Sequence, residues 1–259
     1  MDTESFPAVM KKPRIVFAVV MCAFAAAACR NAPDTRTASP ATPAGRGSVH
    51  GHVRLDGSAP ENEAVRMSAD PMCSKASGGR RVLDEAVVAA PDGSLGNVFV
   101  ELVGTFPDTP VPTEPVSIDQ DGCVYVPRVA GVRVGQALQV RNSDDGLHNV
   151  HGASSDHDAF NVSQPVKGMV NTFHPQEPGI LRLKCDVHTW MVAFVGVVNH
   201  PFFAVTGRDG AFVLQNVPEG TYDVRAWHER FGTVMSKVHV DAGGVADVEV
   251  VYPTKRLNN

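Results

Sequence analysis

Lys184-Cys185-Asp186-Val187-His188-Thr189-Trp190-Met191 offers a thiolate, an imidazole and a thioether, in that order, within one short stretch. A second imidazole stands upstream in Leu147-His148-Asn149-Val150-His151. A metal that cycles between monovalent and divalent states needs soft and borderline ligands together. Thiolate supplies covalency, imidazoles suit the divalent state, and a weak thioether tunes the potential. His148, Cys185, His188 and Met191 supply that set, and it points to copper. Zinc accepts Cys and His as well but rarely takes Met. Taken singly, each residue has a plainer reading: His148 as a turn histidine, Met191 as core, Cys185 as a buried thiol. Their order and their loop positions make them a candidate mononuclear site.

Such ligands need rigid supports. Gly179-Ile180-Leu181-Arg182-Leu183 and Val192-Ala193-Phe194-Val195-Gly196-Val197-Val198 read as two strands that pin the Cys185 to Met191 loop from both sides. From residue 47 onward strand signals recur between Asp-Gly turns such as Asp56-Gly57, Asp92-Gly93, Asp121-Gly122, Asp145-Gly146 and Asp209-Gly210. The pattern predicts an all-β protein. A single short helix is expected within residues 64–78, around Met67-Ser68-Ala69-Asp70, with Pro71 limiting it. After the candidate metal strands comes a distinct block with clean alternation: Tyr222, Val224 and Ala226 share one face, and Val248, Val250 and Tyr252 another.

The 259 residues are 43% hydrophobic and 20% charged with a formal charge of −5, which is ordinary globular material. No basic stripe is present, so nucleic acid is not an expected partner. The one dense cationic cluster, Lys11, Lys12 and Arg14, leads into an apolar run over 15–28 that reads as an export signal, too short for a membrane span. Ala27-Ala28-Cys29 is similar to a bacterial lipoprotein processing site, with Cys29 as the lipidated residue; simple cleavage near Ala28 is the alternative. Residues 1–29 are therefore read as a signal and 30–46, rich in Pro and Thr, as a disordered tether. The expected location is periplasmic or cell-envelope, with membrane contact only through a lipid anchor. In an oxidising compartment two of Cys73, Cys123 and Cys185 are expected to pair. If Cys185 is a metal thiolate, the pair is Cys73 with Cys123; two buried free thiols remain the other possibility.

The ligand loop, with two residues between Cys185 and His188 and two between His188 and Met191, resembles that of amicyanin-like type 1 blue copper proteins of the cupredoxin family. The resemblance covers residues 116–198 and includes His148-Asn149-Val150-His151 and the strand, Gly turn and strand of Val132 to Asn142. It implies a Greek-key β-sandwich over 112–199 that binds one copper. It also implies Asn149 hydrogen-bonding near the cysteine sulfur; His151 is read as lying behind the ligands, and Trp190, a departure from the family pattern, as an aromatic beside the exposed imidazole that would cover the metal edge. The exposed imidazole edge of His188, in an apolar rim with Trp190, is then the expected exit for electrons.

The Thr, Asp-Gly, aromatic and Pro-x-Gly-x-Tyr pattern of residues 200–255 is similar to the carboxypeptidase regulatory-like, transthyretin-like sandwich, a carbohydrate-binding-like fold. Residues 47–111 read as its opening strands, with the copper domain inserted, or else as an extension of the copper domain. These resemblances imply a one-electron carrier with a redox protein partner. A copper-stabilised surface module that binds glycan or protein through the C-terminal sandwich is the alternative. Enzymatic activity is not expected: no nucleophile–base pair, nucleotide loop or paired acid system is present. His50 and His52, the only hint of a second metal site, read as exposed strand histidines.

Overall fold

The computed structural model describes residues 45–254. The export signal, Cys29 and the tether up to residue 44 lie outside the described residues. No helix among the described residues is long and apolar enough to cross a membrane.

The described chain is almost entirely β. It opens with β1 (Arg46–Asp56), whose first residue falls inside the span read as tether, and β2 (Phe99–Val103). It continues through β3 (Val116–Gln120), β4 (Tyr125–Val126), β5 (Val129–Arg133), β6 (Leu138–Asn142) and β7 (His148–Ala153). Then come β8 (Asp158–Gln164), β9 (Val170–Phe173), β10 (Gly179–Lys184) and β11 (Val192–Val198). It closes with β12 (Phe203–Val205), β13 (Ala211–Pro218), β14 (Gly220–His228), β15 (Gly232–Val240) and β16 (Val245–Pro253).

Two pairs of sheets result. One pair has the strand orders β13-β1-β16 and β12-β2-β14-β15; the other has β5-β11-β10-β7-β8 and β4-β3-β6-β9. β1 runs antiparallel to β13 and parallel to β16, so the chain leaves the first pair of sheets after β2 and returns to it at β12. The alternation seen in the sequence explains the first core. Val224 and Ala226 of β14, with Tyr222 partly buried, meet Val49, Val53 and Leu55 of β1 and Val248, Val250 and Tyr252 of β16. The second core is built from Ile118, Leu138, Val140, Val150, Leu183, Val195 and Val197, and it takes in Cys185 and Met191.

The connection from β1 to β2 does something the sequence did not announce. Met67 and Cys73 leave the first core and enter the second. The helix expected around Met67 to Asp70 lies one turn later: residues Met67–Ala69 make a 3-10 turn, and α1 (Pro71–Ala76) follows. Pro71 starts the helix instead of limiting it, because at the first helical position its ring presets φ and its missing N–H costs no hydrogen bond. Asp70 caps α1, its carboxylate accepting from the amides of Met72 and Cys73.

The two cores meet through Phe99, Val129 and Val198, with Phe194, Phe203 and Trp227 packed around them. Gly196 lies in the middle of β11, where a Cβ would stand 2.3 Å from the Phe99 ring; at Gly131 of β5 it would stand 2.5 Å from Phe203. Glycine is required at these points because aromatic rings of one sheet rest on the backbone of another. Arg128 reinforces the junction, reaching both carboxylate oxygens of Glu229 at 2.5 and 2.9 Å and Asp84 at 2.6 Å. Gly196→Ala is therefore expected to destabilise the fold by about 1–3 kcal/mol, as overpacking of a filled core does. Denaturant unfolding measures this; a change within about 0.5 kcal/mol, typical of surface substitutions, would show that the ring does not rest there.

Candidate metal centre

The loop Cys185 to Met191 joins β10 to β11, which pair antiparallel from Gly179↔Val197 to Lys184↔Val192. β10 also pairs with β7, Lys184 opposite His151, which brings the first residue of β7, His148, beside the loop. The loop closes on itself: the Cys185 amide donates to the Met191 carbonyl at 3.2 Å, and the Met191 amide to the His188 carbonyl at 2.9 Å. Tyr125 ties the two supports together, its hydroxyl lying 2.9 Å from the carbonyl of Asn149 on β7 and 3.3 Å from that of Lys184 on β10.

At the centre the Nδ1 atoms of His148 and His188 face each other at 3.0 Å, and His188 Nδ1 lies 3.8 Å from Cys185 Sγ. One donor atom from each of these three residues lies within 4.8 Å of the others. All three are buried, and so is Met191, which packs in the same core on the same loop. Asn149 links the two segments. Its amide donates to Cys185 Sγ at 3.5 Å, its side-chain oxygen accepts from the Asp186 amide at 2.5 Å, and its side-chain nitrogen reaches Asn161 at 2.6 Å. His151 places Nδ1 at 2.9 Å from the Asp186 carboxylate, and so acts on the residue beside Cys185 and not on the sulfur.

Two carboxylates absent from the sequence-based set complete the surroundings. Asp144 Oδ2 lies 3.0 Å from His148 Nε2, and Asp70 Oδ2 lies 3.1 Å from His188 Nε2. Asp70-Pro71 carried a signal in the sequence, that of a helix N-terminus, but nothing linked it to a histidine 118 positions away. Asp144 sits four residues before His148 in a stretch that reads only as a turn.

Asp70 also corrects an expectation. The imidazole of His188 is not an exposed edge: it is 2% exposed. Asp70 covers its outer nitrogen, and the Trp190 ring lies 5.1 Å away. Trp190 is itself fixed by donating its indole N–H to the Cys123 carbonyl at 3.0 Å. Cys73 and Cys123 form a disulfide, which leaves Cys185 as the free thiol among the described residues. His50 is exposed, while His52 Nε2 is engaged by Ser94 Oγ at 3.0 Å and the Asp209 carbonyl at 2.9 Å; neither belongs to a metal-capable group among the described residues.

These contacts set the charges. Burial opposes ionisation of Cys185, but hydrogen bonds from His148 and the Asn149 amide outweigh it and bring the thiol down to about 7. Burial also opposes charge on His148, yet Asp144 and Cys185 raise its pKa to about 9. Asp144 resists burial through its bonds to His148 and the amides of Cys123 and Gly122, which hold it below the usual carboxylate range. In the metal-free protein a proton therefore sits on His148, between a carboxylate and a sulfur close to its thiolate form. A soft-to-borderline cation fits the donor set, since it replaces that proton between two nitrogens and a sulfur.

No family model and no curated protein matches the chain. Among solved structures it is similar to a purple cupredoxin from Nitrosopumilus maritimus, at 22% identity over 32% of this chain and 98% of that one, with a TM-score of 0.29. It is similar to a copper(I) form of a mutant amicyanin at 20% identity, over 38% of this chain and 97% of that one, TM-score 0.30. It is also similar to the copper-containing nitrite reductase of Thermus scotoductus SA-01 at 19% identity and TM-score 0.29, spanning 38% of this chain but 25% of that one. At such scores the likeness carries no weight for the chemistry of the site, which rests on the donor atoms alone.

Because ligands bind deprotonated, cobalt(II) added to the metal-free protein at pH 7 is expected to release between one and two protons per ion, one from His148 and the remaining fraction from the Cys185 thiol. Binding should tighten as the pH rises towards 9. Proton release in weakly buffered solution measures this, and uptake without it would contradict the protonated His148.

Proposed function

We propose that His148, Cys185, His188 and Met191 hold one copper ion as a type 1 centre and that the protein is a one-electron carrier of the cell envelope. Its partner on this reading is another redox protein, and lipidation at Cys29 would keep it at the membrane surface. The observation that carries the proposal is the convergence of two inward-facing imidazole nitrogens and a thiolate-prone sulfur, all buried, on loops anchored by β7, β10 and β11. Copper, when bound, would supply the one-electron chemistry.

The chain's own contribution is to hold the donors still. The Asn149 bonds to the Asp186 amide and Cys185 sulfur, the Tyr125 hydroxyl and the closed loop all resist rearrangement when charge changes. Second-neighbour bonds of this kind fix ligand geometry and shift potential. Since the edge of His188 is covered, electrons are proposed to leave through Trp190. Its ring neighbours His188 and lines a surface groove of about 630 Å³ together with Tyr125, Arg80 and Arg81.

Copper(II) added to the purified protein is expected to produce an intense thiolate-to-copper band in the visible spectrum. Cys185→Ser should abolish the band, while Met191→Leu should retain it and raise the reduction potential. A copper-loaded but colourless unmutated protein would contradict the proposal.

A further inference from the structure

Each imidazole of the centre has a carboxylate on its outer nitrogen, and each carboxylate is seated on one half of the same disulfide. Asp70 Oδ2 meets His188 Nε2 at 3.1 Å, while its other oxygen accepts from the amides of Met72 at 2.7 Å and Cys73 at 3.2 Å. Asp144 Oδ2 meets His148 Nε2 at 3.0 Å and also accepts from the Cys123 amide at 2.8 Å, with Oδ1 on the Gly122 amide at 2.9 Å. The Cys73–Cys123 bond joins the two arms, and both cysteines are fully buried. A carboxylate can only accept, so each Nε2 must be the donor. That choice turns the Nδ1 of each ring inward, and two inward Nδ1 atoms 3.0 Å apart repel unless a proton or a cation lies between them.

We infer that Asp70 and Asp144 are positioning residues of the metal centre: they fix both imidazoles with Nδ1 inward and surround the cation with two negative charges that favour its divalent state. The disulfide is the brace that holds the two carboxylates at their distance. This inference rests on the copper reading above for its second half, and on the hydrogen-bond geometry alone for its first. Asp70 arrives from the β1–β2 connection, so that connection contributes to the chemistry of the other pair of sheets.

Asp70→Asn separates charge from hydrogen bond, since asparagine keeps an acceptor oxygen and still caps α1 well. Asp70→Ala removes both. In the metal-free protein, nitrogen NMR of His188 is expected to show the Nε2–H tautomer in the unmutated chain and in Asp70→Asn, and a mixture of tautomers in Asp70→Ala. With copper, Asp70→Asn and Asp144→Asn are each expected to weaken copper(II) binding about tenfold relative to copper(I), within the range for partners of metal-bound histidines. A tenfold difference raises a one-electron potential by about 59 mV.

An unchanged tautomer in Asp70→Ala would overturn the positioning role, and unchanged potentials in both Asn variants would overturn the electrostatic one. If the tautomers respond as expected but the unmutated protein takes up no copper, the copper reading fails while the positioning role stands.

Discussion

Two imidazole nitrogens held 3.0 Å apart, with a sulfur beside them, form an arrangement that repels itself unless positive charge lies between. Much of the surrounding structure can be understood as what keeps those three atoms from separating. The loop is closed by its own backbone bonds, Asn149 binds it to the start of β7, and two aspartates press on the rings from outside. In the metal-free protein a proton on His148 relieves the repulsion, and against the opposing effect of burial Asp144 and Cys185 hold its pKa up at about 9. The same preorganisation would let a bound copper change oxidation state with little movement around it.

The first pair of sheets is more than an attachment. Its Phe99 and Phe203 rest on Gly196 and Gly131, so β5 and β11 are backed on the side away from their own core. Arg128 bolts β5 to the end of β14 through Glu229. From between β1 and β2 the chain reaches across to deliver Asp70 and Cys73 to the candidate metal centre. The ligand loop is thus stabilised from its own sheets, from the neighbouring ones and through a covalent bridge.

Much of this was legible in the sequence, for identifiable reasons. β10 and β11 are short apolar runs flanking a loop, and their bounds follow the change from apolar to ligand-bearing residues almost to the residue. The alternation of Tyr222, Val224 and Ala226, and of Val248, Val250 and Tyr252, marked faces that are indeed turned to a core. Cys185, His188 and Met191 were visible because they are local, and His148 because its neighbours resemble a known ligand segment. What stayed hidden was long-range. Asp70 meets His188 only because the β1–β2 connection folds onto the other core, and no local pattern encodes that. For the same reason the resemblance implies an exposed edge at His188, yet the ring is covered in the fold. Asp144 was hidden differently: an acidic residue in a turn is common, and its bond to a ring four residues on leaves no periodic trace.

The central claim is that a thiolate and two imidazoles close on one copper ion. X-ray absorption at the copper edge of the loaded, full-length protein tests it most directly. One short copper–sulfur path and two imidazole nitrogens are expected, with the sulfur path lost in Cys185→Ser. A first shell made only of nitrogen and oxygen atoms in the unmutated protein would contradict it.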